Sequence, residues 1–190
     1  MTSKIYALMG PHASGKTTIL KKLIEMGVHC IPVYTTKIPR SYDTDNNTTF
    51  FLSQSDFLQK DWIVKVTYKG NYYGLLKEDV FKALKEHKVC VTMLHNNGVK
   101  QLSKIFNNNL ETIYIMVDYV NLIDRMIKMG HTNTDMKYHL EYAEKNGEFD
   151  HWKTADYIVK NICSLDKAIN QVTAILGLTA NFTPEMISKL

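Results

Sequence analysis

Cysteine is scarce in this 190-residue chain, and the three that occur, Cys30, Cys90 and Cys163, are far apart, odd in number and without a C-x-x-C pair. That pattern excludes a disulfide framework and a thiolate zinc site, and it suits a reducing compartment. A run of about eighteen apolar residues is also missing, so no membrane-spanning helix is predicted. The opening Met1-Thr2-Ser3-Lys4 enters a strand-like segment too short for a signal sequence. A soluble, cytoplasmic protein with no membrane partner is expected. Charge of one sign is not gathered into a block. The formal net charge of +4 comes from 23 Lys and Arg scattered against 19 Asp and Glu, which argues against a nucleic-acid surface. Repeats and low-complexity tracts are absent, and the length fits one domain with insertions.

What is present is concentrated near the start. Gly10-Pro11-His12-Ala13-Ser14-Gly15-Lys16-Thr17 fits G-x-x-x-x-G-K-[ST] at every fixed position and follows the apolar run Ile5 to Met9. Glycines let such a loop turn its N–H groups inward on a polyphosphate, and the helix that begins near Lys16 points its positive end at the same place. Lys16 is then placed to reach the β and γ phosphates, and the Thr17 hydroxyl to hold Mg²⁺, with Thr18 next to it. The spacing of Ile19, Leu20, Leu23 and Ile24 supports the helix.

Strand-like apolar runs recur at Ile5 to Met9, Val28 to Tyr34, Val89 to Leu94, Thr112 to Val117 and Tyr157 to Val159, and helical patterns separate most of them. This alternation predicts an α/β fold with a parallel five-stranded sheet flanked by helices. The last helix is predicted from the Ser164 cap to the Gly177 stop, with a further short helix at Thr183-Pro184-Glu185. The stretch 34–88 breaks the alternation. It is turn-rich from Ser41 to Thr48, has β-like pieces at Thr49 to Leu52 and Trp62 to Tyr68, and reads as an inserted β-rich subdomain. Met129 to Thr134 reads as a loop between two helices.

Six motifs in order, namely the phosphate loop, Thr35-Thr36-Lys37-Ile38-Pro39-Arg40, Phe51-Leu52-Ser53, Gly70-Asn71-Tyr72-Tyr73-Gly74, Asn97-Gly98-Val99-Lys100 and Asp156 to Asn161, resemble those of guanylate kinases. The resemblance covers about residues 4 to 177. It implies a P-loop core (1–33 and 89–178) that holds Mg²⁺ and ATP, an insertion (34–88) that holds a nucleoside monophosphate, a short lid at about 129–138, and a tail at 179–190. It implies catalytic roles for Lys16, Arg40 and Arg125. It implies ATP contacts at Gly10, Pro11, His12, Ala13, Ser14, Gly15, Lys16, Thr17, Thr18 and Asn161. Substrate contacts follow at Thr36, Lys37, Arg40, Thr49, Gly70, Tyr72 and Tyr73, and metal binding at Thr17. The implied partners are small-molecule nucleotides, with GMP as acceptor, and the protein is a monomer or a homodimer.

The chain departs from that pattern on the acceptor side. The first arginine of the phosphate clamp is Lys37, which keeps charge and loses the planar fork. The acidic guanine reader aligns with Val64, the tyrosine before F-x-S with Thr49, the small hydroxyl residue after G-N-Y-Y-G with Leu75, and two further acids with Met93 and His95. In the lid, G-R-G-T becomes Met129-Gly130-His131-Thr132, and His139 replaces an arginine. Lys128, Lys137 and Lys145 are the nearby cations that can substitute. Two other readings therefore stand beside a GMP kinase: a kinase with altered base preference, and a catalytically weak nucleotide-binding or protein-interaction module.

Overall fold

Five short apolar strands pair side by side in one direction, and the computed structural model, which describes residues 3–39 and 48–178, places the first of them in the middle. β1 (Lys4–Met9) is followed by helix α1 (Lys16–Glu25) and β2 (His29–Cys30). A second set of elements then intervenes: β3 (Val33–Thr35), β4 (Thr49–Phe51), α2 (Gln54–Leu58), β5 (Trp62–Tyr68), β6 (Asn71–Leu76) and α3 (Lys77–Glu86). The chain returns through β7 (Val89–Met93), α4 (Asn96–Phe106), β8 (Leu110–Met116), α5 (Tyr119–Lys128), α6 (Asn133–Lys145), β9 (Tyr157–Lys160) and α7 (Leu165–Ile175). The core sheet has the order β2-β7-β1-β8-β9, and all four pairings are parallel.

Strands buried on both faces need apolar side chains on both, and β1 provides them. Ile5 and Ala7 pack into one cluster with Val64, Leu75 and Leu102, while Tyr6 and Leu8 pack into the other with Ile19, Leu23 and Val172. The chain continues on opposite sides of β1 through β7 and β8, so a crevice opens at its carboxyl end, where the Gly10–Thr17 loop lies.

The run Val28 to Tyr34 does not form one strand. Pro32 interrupts it, because proline has no N–H for a ladder bond and fixes φ. Residues 29 and 30 pair with β7, whereas Val33 to Thr35 join a second sheet of order β4-β3-β6-β5. That sheet is mixed: β3 and β4 are parallel, and β6 is antiparallel to both β3 and β5. Lys69 (φ 49°) and Gly70 (φ 76°) make the tight β5–β6 turn, both in the left-handed region that such two-residue hairpins demand. Gly74 leaves room for the indole of Trp62, whose Nε1 donates to the Phe57 carbonyl at 2.7 Å.

The last helix forms as its sequence predicts: the Ser164 hydroxyl accepts from the Lys167 N–H, and Gly177 follows the helix at φ 71°. The helix expected at Thr183 to Glu185 lies outside the described residues, as does most of the turn-rich stretch from Ser41. The loop expected at Met129 to Thr134 is a tight turn through Gly130 that ends in a capping box, in which the side chains of Thr132 and Asp135 each bond the other's backbone N–H. No helix among the described residues is long and apolar enough to cross a membrane.

Candidate functional site

The loop between β1 and α1 turns where its glycines allow. Gly10 has φ 138°, and a Cβ there would meet the Ile115 carbonyl oxygen at 2.8 Å; Gly15 has φ 97°, and a Cβ there would collide with the Asn161 amide. Ala13 also adopts a positive φ of 63°. Gly15 caps α1 without a side-chain hydrogen bond, and no acidic residue stands in the first turn, so the positive end of the helix faces the crevice unneutralised.

Lys16 folds over this loop. Its ammonium donates to the carbonyls of Gly10 and Pro11 at 2.8 and 2.7 Å and to the Ser14 hydroxyl at 3.2 Å. Burial lowers its pKa to about 8, against the pull of Glu148. Arg125, on α5, donates to the carbonyls of Ser14 at 3.1 Å and Asn161 at 2.7 Å, and more distantly to that of Ala13. The buried Asn161 amide adds a bond to the Ser14 carbonyl at 2.9 Å. Arg125 and Asn161 thus hold the loop by its carbonyls.

The loop forms the floor of a cleft of about 840 Å³ that reaches the second sheet. Six cationic side chains line it, Lys16, Lys21, Lys37, Lys69, Arg125 and Lys128, and among the described residues no carboxylate does. A concave surface of one sign draws and holds a polyanion. The far wall is built from rings and apolar chains. Tyr68 stacks on His95 with centroids 3.6 Å apart, and Tyr73 meets both edge-on. Burial, aided by Lys16 and Lys69, drives the His95 pKa down to about 3, so that ring is neutral at physiological pH. Val64 and Val66 sit behind them in the core, with Val64 only 1% exposed.

The structure brings most of the expected residues to this cleft: Gly10, His12, Ala13, Gly15, Lys16, Thr17, Thr18, Lys37, Thr49, Tyr73, Arg125 and Asn161. Pro11 and Ser14 are buried beneath the loop. It does not bring Thr36, Gly70 and Tyr72 there. They line a separate depression; on β6 residues alternate across the strand, so Tyr72 points opposite to Tyr73 and stacks on Phe57 at 5.6 Å between centroids. Arg40 lies outside the described residues.

Lys69 carries no motif that would have singled it out, and no spacing predicts that three histidines come together. Lys69 is placed by the hairpin turn, and the only local hint is the Lys-Gly pair between two β-like runs. His12, His131 and His139 meet from three distant stretches of chain. Thr17 is the one hydroxyl placed as the phosphate-loop motif requires for Mg²⁺. Its Oγ1 rests 3.8 Å from the Met93 sulfur, a weak contact that a hard cation would displace. Met93 and His95 line the same end of the cleft and offer no oxygen, so the residues fit an ion held by one protein hydroxyl and by the ligand's own phosphates, as Mg²⁺ often is.

Comparison with known proteins follows the same lines. A family model described as Guanylate kinase matches residues 2–178. A guanylate kinase of Thermotoga maritima is 27% identical over 190 residues, covering 93% of this chain and 87% of that protein. One of Sus scrofa is 26% identical over 182 residues, covering 86% and 90% respectively. The crystal structure of guanylate kinase from Anaplasma phagocytophilum superposes with a TM-score of 0.71 over 96% of this chain and 88% of that one, at 17% identity.

Proposed function

Since this chain belongs to the guanylate kinase family, we propose that it transfers the γ-phosphoryl group of ATP to a nucleoside monophosphate, with GMP as the acceptor. The observation that carries this reading is the cleft: a polyphosphate loop with Lys16 on its floor, cations around it, and Lys37 and Tyr73 on the wall opposite. Phosphoryl transfer asks little covalent chemistry of a protein and depends on alignment and positive charge. The core (1–33 and 89–178) binds ATP, the insertion (34–88) binds the monophosphate, and the lid (about 129–138) closes over both.

Within that reading Lys16 leaves its carbonyl partners for the β and γ phosphates, the orphan N–H groups of α1 receive the same phosphates, and Arg40 with Lys37 and Tyr73 holds the acceptor phosphate. Arg125 keeps the loop carbonyls turned away from the nucleotide. Mg²⁺, held through Thr17, supplies charge neutralisation when bound. Cytoplasmic residence agrees with three free thiols, Cys30, Cys90 and Cys163.

One observation favours a second reading within the enzyme class. Val64 borders the cleft as an apolar side chain only 1% exposed and no described carboxylate lines it, so a guanine edge is not met there by a paired acceptor. A wall of rings discriminates by shape and stacking, which separates purines from pyrimidines better than guanine from adenine. A coupled assay over a panel of nucleoside monophosphates tests both. Turnover with GMP well above the ATPase background supports the first, and comparable turnover with AMP supports the second. If ATP binds, Lys16→Ala abolishes that binding and no monophosphate is turned over, the protein is a binding module on the same scaffold.

A further inference from the structure

Three histidines distant in sequence converge at the edge of the cleft: His12 from the phosphate loop, His131 from the turn after α5, and His139 from α6. The Nε2 atoms of His12 and His131 are 3.0 Å apart. The rings of His12 and His139 stack with centroids 4.0 Å apart, and those of His131 and His139 meet edge-on at 5.2 Å. One ligand nitrogen from each ring lies within 4.8 Å of the other two. Zinc–nitrogen bonds of about 2.0 to 2.1 Å at tetrahedral angles place ligand nitrogens about 3.3 to 3.4 Å from one another, so the spacing is within reach of an ion once the stacked His12 and His139 rings tilt their lone pairs towards it.

We propose that His12, His131 and His139 form a binding site for a divalent transition-metal ion, zinc above all, that ties the phosphate loop to the α5–α6 turn. Imidazole selects zinc, copper or nickel over the hard, oxygen-seeking Mg²⁺, so this ion is distinct from the one that accompanies a nucleotide. Three protein ligands leave a fourth position open for water or a phosphate oxygen. Such an ion bridges two elements that a working lid must separate, so it stabilises the folded chain and slows opening.

Lys69 works against the ion. Its ammonium donates to Nδ1 of His139. A metal that takes Nδ1 must displace that ammonium, and one that takes Nε2 must lose the proton that the ammonium contact fixes there. Lys69→Met is therefore expected to tighten metal binding.

The test uses the full chain without nucleotide, so its failure leaves the phosphoryl-transfer reading untouched. Zn²⁺ affinity is measured by competition with a chromophoric chelator, and Co²⁺ is added as a spectroscopic stand-in. One ion per chain is expected, with intense visible cobalt bands of four-coordinate geometry and no thiolate charge-transfer band. His131 sits half-buried in a turn, and His131→Ala should lower the affinity by more than about tenfold, while Cys163→Ser, which removes the exposed thiol lining the same cleft, should leave it unchanged. The proposal is overturned if no ion is retained against micromolar chelator, if His131→Ala binds as wild type does, or if Cys163→Ser abolishes uptake. Should His131→Ala not fold, the cobalt spectrum of wild type decides: weak octahedral bands or a thiolate band overturn the site.

Discussion

The floor of the cleft and the wall opposite it are organised by different forces. On the floor, Lys16, Arg125 and Asn161 are all tied to main-chain carbonyls of the loop or of Asn161 beside it, at 2.7 to 2.9 Å in their shortest contacts. On the wall, Tyr68, Tyr73 and His95 hold one another by ring contacts, with Val64 and Leu94 behind them. The shape of the loop on the floor is thus set before any ligand arrives, and Lys16 exchanges its carbonyl partners for phosphate oxygens when one does. The wall presents shape with few directed polar groups. One protein can keep a demanding phosphate geometry while its choice of base drifts, because the two are set by separate elements.

Removing the floor's cation is the most severe way to break this contrast. Lys16→Ala should reduce turnover on the order of a hundred- to a thousandfold, and a coupled assay with saturating GMP reads that loss. The melting temperature should hold or rise, since a partly buried ammonium whose pKa the fold lowers to about 8 opposes folding. An equal loss from any ring substitution on the wall would show that the two sides do not differ in kind.

Placing a carboxylate on the wall asks the opposite question. Val64→Glu introduces a carboxylate at a position 1% exposed and packed against Leu94 and Gly98. We expect destabilisation of about 3 to 5 kcal/mol from an uncompensated buried charge, seen as a lower denaturant midpoint, and no gain in preference for GMP. A stable variant with sharper guanine selection would show that the wall accepts a directed polar reader.

This contrast also marks what the sequence revealed. The phosphate loop is a local motif whose function follows from seven consecutive peptide bonds and the helix after it, so Gly10, Lys16 and Thr17 were legible, as were the five core strands. The Val28 to Tyr34 run misled because apolar composition outweighed Pro32, which alone sends the two halves into different sheets. Thr36, Gly70 and Tyr72 belong to matched motifs yet face the other depression, since a motif does not say which face of a strand each residue occupies. Spacing could not bring out His12, His131 and His139, because their proximity depends on how α5 and α6 pack over the loop.

Two smaller effects sharpen the comparison. Asn161→Ala deletes the amide that fills the space beside Gly15 and leaves the Ser14 carbonyl with Arg125 as its side-chain donor. A loss of about 1 to 3 kcal/mol in unfolding free energy is expected, together with weaker ATP binding and unchanged acceptor KM. On the wall, His95 titrates near 3 in the fold against its ordinary 6.5. As pH falls from 6.5 towards 3, the unfolded chain takes up the proton and the folded chain does not, so stability declines over that window. At pH 5 the deficit from this group is about 1 to 2 kcal/mol. His95→Phe keeps a ring on Tyr68 and removes that part of the acid slope in urea titrations at pH 5 and 7.

The least effect is expected from Lys128, and it addresses how a lid short of arginines still serves the floor. Lys128 lines the cleft and pairs with the exposed Asp124 at 2.7 Å, whereas Lys137 pairs with Glu141 and does not line it. Both are solvated i,i+4 pairs, so Lys128→Ala and Lys137→Ala should each change stability by less than about 0.5 kcal/mol. Position alone distinguishes them. If the cleft-facing lysine supplies charge to the transferring phosphoryl group, Lys128→Ala lowers kcat by about two- to fivefold without raising the KM for ATP, a small share of what a well-aimed donor contributes. Lys137→Ala should leave both parameters alone. Equal kinetics in the two variants would mean that Lys128 adds no charge of its own, and that the floor, with Lys16 and Arg125, carries the positive potential of the phosphate end.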